Sequence, residues 1–88
     1  MTKPLHIINW QGKEYSIPFD VNLNLDAKDK LIEVPTRFSG ATALLPWFAV
    51  AVFDLIIGSE QLEDYDTMQK GLSWFRKYFP NEYMTLLD

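Results

Sequence analysis

Asp20, Asn22, Asn24 and Asp26 stand on alternate positions, and they are the part of the chain that most resembles a run of metal ligands. Oxygen-bearing side chains at the first, third and fifth positions open a calcium-binding loop, because a hard cation is held by several oxygens. The run departs from that loop where its geometry is strictest. Leu25 stands where the sharp turn needs glycine, and Leu31 where a glutamate must bind through both oxygens. The interleaved residues Tyr15, Ile17, Phe19, Val21, Leu23 and Leu25 are all apolar. Period-two alternation puts them on one face of a strand and the polar residues on the other, so the segment reads as scaffold.

The other chemistry-bearing residues are sparse. His6 is the only histidine and there is no cysteine, so a zinc site would have to rest on carboxylates alone. Ser16, His6 and Asp20 supply the residue types of a nucleophilic triad, without a nucleophile elbow to aim the serine. Glu63, Asp64 and Asp66 offer carboxylates but imply no cleft, and the four scattered glycines form no phosphate loop. The expectation is a non-enzymatic protein without metal or other cofactor.

Asp54 is the one charge inside an apolar run, and it has two readings. Buried, it would need a cation, for which Arg37, Lys70 or Arg76 are the candidates. Facing outward, it joins Glu60, Glu63, Asp64 and Asp66 in a single acidic surface, which is the preferred reading. Residues 38–69 hold those five acids and no base, within a chain of net charge -4. Such a segment repels phosphate backbones and suits a basic partner, so no direct nucleic-acid binding is expected.

The elements that must position these groups follow from pattern. Leu5–Trp10 reads as a strand, Gln11-Gly12 as a tight turn, about 13–25 as a long strand, and Leu31–Thr36 as a third. Ser39-Gly40 ends the sheet, and Ala41–Ile57 is almost wholly apolar. A helix is expected at about 45–57, with Pro46 in its first turn and Gly58 just past its end. Ser59 would cap a short turn through Asp64, and Asp66 would cap the next helix, which Pro80 stops. The fold class is α+β, one domain over 1–88. A three-stranded antiparallel meander (about 5–10, 13–25 and 31–36) is covered on one face by two to three helices (about 45–57, 67–79 and 80–87).

The helix at 45–57 is apolar all round, so it is buried or membrane-embedded; its length, Pro46 and Asp54 favour burial and no membrane span. On the next helix Met68, Leu72, Phe75 and Phe79 form a core row, with Trp74 and Tyr78 in a row beside it. Two apolar rows exceed what one contact needs. Some of Trp74, Tyr78 and Trp47 are therefore expected at the surface as anchors for a partner.

The 48% hydrophobic content supports a folded core in a chain of 88 residues. The absence of cysteine, and of an apolar leader in Met1–Leu5, points to the cytoplasm. The function these features favour is a small acidic binding protein acting by protein–protein interaction, an inhibitor or accessory factor of phage or bacterial type. Its contact residues would be Asp54, Glu60, Glu63, Asp64, Asp66, Trp74 and Tyr78. A structural component forming a homodimer or larger homo-oligomer is the alternative, and a nucleic-acid mimic occupying a basic groove is the second alternative.

Overall fold

A computed structural model describes residues 6–36 and 40–87; Leu5, Arg37 and Ser39 lie outside them. The described residues form a mixed α+β structure of two antiparallel hairpins and three α-helices. The first hairpin joins β1 (His6–Trp10) to β2 (Lys13–Ile17) through a two-residue turn. Gln11 at φ 51° and Gly12 at φ 80° are both left-handed, as the right-handed twist of such a hairpin requires. Ile8, Tyr15 and Ile17 share its inner face and are buried.

The expected long strand is corrected at its middle. Within the described residues the ladder with β1 runs from Lys13 to Ile17, which pairs with His6, and β3 pairs with β4 instead of extending the sheet along 18–25. The alternation nevertheless continues without a ladder. Phe19, Val21 and Leu23 turn inward, while Pro18, Asp20, Asn22 and Asn24 stay exposed. An extended chain keeps its period of two whether or not a neighbour hydrogen-bonds to it. The pattern ends in a 3-10 turn over Leu25–Ala27, opened by Asn24 Oδ1 accepting from the Asp26 amide at 3.1 Å. Leu25 is left 69% exposed.

The expected meander is corrected too. β3 (Leu31–Pro35) pairs with β4 (Thr42–Pro46), in the register Ile32 to Leu45 and Val34 to Ala43. No strand is expected after Ser39-Gly40 and a helix is expected from about 45, yet β4 occupies 42–46. The uniform apolarity of 41–57 conceals a change of period from two to 3.6 at Pro46. Pro46 (φ -60°, ψ 154°) ends β4 and sits before the helix, and the Trp47 amide donates to the Lys30 carbonyl at 3.0 Å.

Helix α1 (Trp47–Gln61) runs through Gly58, which is therefore not its terminator, and Ser59 is buried within it. The end comes four to five residues later. Asp64 N–H donates to Ser59 O at 2.8 Å and Glu63 N–H to Glu60 O at 3.1 Å, with Glu63 left-handed at φ 58°. This is the paired-bond closure usually built on glycine, here carried by glutamate. Asp64, two residues before the expected Asp66, caps α2 (Tyr65–Tyr78). Its Oδ1 accepts from the Thr67 amide at 3.3 Å and its Oδ2 from the Thr67 hydroxyl at 2.8 Å. Pro80 opens α3 (Pro80–Leu86), where its missing N–H costs no hydrogen bond.

Helices α1 and α2 meet at Gly71, where an added Cβ would lie 2.6 Å from Ile56 Cγ1. The absent side chain is what lets the two helices approach. One aromatic cluster then ties the first hairpin to the helices. Phe48 is fully buried among Trp10, Tyr15, Trp74 and Phe79, and Tyr15 stacks on Phe79 with centroids 5.5 Å apart.

Candidate acidic contact site

The α1 positions Ala51, Asp54, Leu55 and Gly58 fall on one stripe by helical spacing. The corner after α1 adds Asp64 and Thr67 beside that stripe, and the extended segment 20–22 forms the opposite wall. Together they enclose an open depression of about 620 Å³, in which Asp20, Asp54 and Asp64 are the charged groups. No basic side chain among the described residues lines it. Ser59, buried, also lines it, and Asn22 supplies a neutral amide.

The five acids expected on one surface are all exposed. Asp54 and Asp64 line the depression, whereas Glu60, Glu63 and Asp66 do not. Asp20 joins instead, although its place in the alternating segment reads as scaffold. Departure of residues 18–24 from the ladder carries its carboxylate to the helical layer, and only the missing N–H of Pro18 hints at that in the sequence.

Asp54 is exposed, yet partial desolvation raises its carboxyl above the usual range. Of its candidate cations, Arg76 stands over the Tyr83 ring at 5.2 Å and Arg37 is outside the described residues. Lys70 lines a different groove. A raised folded-state pKa means that the folded chain holds the proton over a range where the unfolded chain has lost it. The group's contribution is then most favourable below the unfolded pKa and falls as pH rises through the folded one. Asp54→Asn is accordingly expected to raise the melting temperature slightly at pH 7. That gain should close as the pH falls below the carboxylate range, which thermal melts across pH would show.

The aromatic half of the expected contact surface is corrected. Trp74 is 5% exposed, and its Nε1–H donates to the Ser16 carbonyl at 2.7 Å. Trp47 is likewise buried, and only Tyr78 keeps partial exposure. Trp74 belongs to the core because α2 packs its second apolar row against the first hairpin, a contact that helical periodicity does not reveal, and Trp47 opens α1 with its ring edge-on to Phe48. His6 is half-buried; its Nε2 and the Trp47 Nε1 have no hydrogen-bond partner among the described residues. Among those residues no group of three or more His, Asp or Glu side chains is placed to hold a metal ion, and no helix is long and apolar enough to cross a membrane.

The chain matches no protein-family model, no curated protein and no solved structure.

Proposed function

We propose that this chain is a small acidic, non-enzymatic binding protein that acts by occupying a basic surface of another protein. In this reading it works in the cytoplasm as an inhibitor or accessory factor of phage or bacterial type. The depression carrying Asp20, Asp54 and Asp64, lined by no basic side chain among the described residues, supports the reading. Carboxylates brought together in a partly desolvated hollow attract a protruding lysine or arginine more strongly than carboxylates scattered on a convex face.

The test is affinity capture from the native host with three forms of the protein. Asp20→Lys/Asp54→Lys is expected to lose the partner, with affinity weakened by about tenfold or more. Glu63→Lys/Asp66→Lys, outside the depression, is expected to keep most of it. Capture that survives the first pair unchanged would sink the proposal. If the partner lost is a nucleic-acid-binding protein that DNA or RNA also displaces, the mimic reading gains.

A homo-oligomer is the second reading. Trp74 and the α1 residues Trp47, Phe48, Val52 and Ile56 are buried within the chain and offer it no surface. Leu31 and Leu44, 52% and 57% exposed on the outer face of the second hairpin, favour it instead. A dimer that persists on dilution in light scattering would support that reading.

A further inference from the structure

The outer edge of β2 meets α2 at Trp74, and the hairpin register explains how. Trp10 and Lys13 flank the two-residue turn as a hydrogen-bonded pair, so Tyr15 and Ile17 direct their backbone groups to β1. The backbone groups of Glu14 and Ser16 point the other way. Trp74 takes the Ser16 carbonyl at 2.7 Å, and Pro18 has no N–H to offer. The Ser16 carbonyl is thus taken from any added strand, and Pro18 cannot donate to one. What this edge presents instead is a side-chain groove.

That groove, about 640 Å³, lies between Ser16–Phe19 and α2. Phe19, Pro18, Trp74 and Tyr78 supply apolar and aromatic wall, and Lys70 and Lys77 supply the charge. The two lysines are seven residues apart on one helix stripe, which puts them about 10 Å apart along its axis. No acidic side chain among the described residues lines the groove. The Lys77 ammonium lies 5.1 Å from the Tyr78 ring centroid, and Lys13 approaches the same ring at 5.9 Å. In a chain of net charge -4, this concave surface carries only positive charge.

We propose that this groove is a binding site for an organic anion built on an aromatic or apolar body. The ring would lie against Phe19 and Tyr78, and the carboxylate, sulfonate or phosphate would reach the Lys70 or Lys77 ammonium. The volume falls within the range of small-molecule sites, and a few charged groups on an aromatic wall are the usual means of fixing orientation. The groove shares no lining residue with the acidic depression.

The test is an amide-resolved NMR titration of the full chain with N-acetyltryptophan, its neutral amide and inorganic phosphate. The carboxylate is expected to shift the amides of Phe19, Gln69, Ser73 and Tyr78. It should bind about tenfold more tightly than either the neutral amide or phosphate. Lys70→Ala/Lys77→Ala should remove that tenfold preference while leaving the melting temperature nearly unchanged, since both positions are exposed. Acetyl-Glu-Trp-Glu-amide identifies the source: tighter binding than N-acetyltryptophan assigns the groove to a polypeptide side chain, and weaker binding to a free small molecule. Equal affinity for acid and amide, shifts confined to other residues, or unchanged binding by the lysine variant would each overturn the proposal.

Discussion

Phe48→Ala is expected to remove about 3–5 kcal/mol of stability, the range for truncating a fully buried aromatic. At 0.05–0.15 kcal/mol per residue, a chain of 88 residues has a total of about 4–13 kcal/mol. The substitution therefore takes a large share of the whole. The site explains the size. Phe48 has no exposed surface, and five aromatic rings (Trp10, Tyr15, Trp47, Trp74 and Phe79) surround it with centroids 4.9 to 6.4 Å away. Those rings come from the first hairpin, α1, α2 and the junction before α3, so collapse around the cavity would require several elements to shift together. In a domain of this size each kcal/mol moves the melting temperature by roughly 4–8 °C, so a fall of more than about 12 °C is expected. Calorimetry showing a fall of only a few degrees would mean that Phe48 is not the centre of this core.

Trp74→Ala is expected to cost a similar amount, about 3–5 kcal/mol, and Trp74→Phe separates its two sources. The alanine variant loses the packing against Phe48, Phe75, Tyr78 and Phe79 as well as the indole hydrogen bond to Ser16. The phenylalanine variant keeps most of the ring volume but strands the Ser16 carbonyl, at a cost of about 1–3 kcal/mol. Urea melts of both variants check this, and amide exchange along β2 should speed up in each. An exposed contact residue would behave in the opposite way, with near-neutral stability for both substitutions and an effect only on partner capture. The pair of variants thus decides between the surface role that helical spacing suggests for Trp74 and the core role that its burial gives it.

The acidic surface was only partly legible. Asp54 and Asp64 belong to the run of acids at 54–66, but nothing in that run says that Glu60, Glu63 and Asp66 fall outside the depression. Asp20 is not in that run. Alternation assigns it correctly to the wetted side of an extended chain, but a meander covered on one face would put that side opposite the helices. Beyond Pro18 the segment leaves the sheet and lies along α1, so that its exposed side chains border the helical layer. Lys70, a candidate cation for Asp54 by sequence, and Lys77 are placed by the fold in a way that their spacing does not show. Seven residues apart on an amphipathic helix they read as ordinary solvated positions, and they become two ends of a groove only when Phe19 is placed beside them.

What the sequence determined by itself is local and periodic. The inward set Tyr15, Ile17, Phe19, Val21 and Leu23, the left-handed turn at Gln11-Gly12, the amphipathic α2 and the short α3 opened by Pro80 all follow from spacing and backbone preference over a few residues. The tertiary structure decided which elements meet. A period of two says which face of a strand is apolar but not which strand lies beside it, so β3 could be matched to β2 on paper and pairs with β4 in the fold. Apolar spacing on α2 likewise says that Trp74 is on an oily face. Only the arrival of β2, with a carbonyl to receive its indole N–H, turns that face into interior. The same placement gathers Asp20 with Asp54 and Asp64, residues that nothing in the local sequence connects.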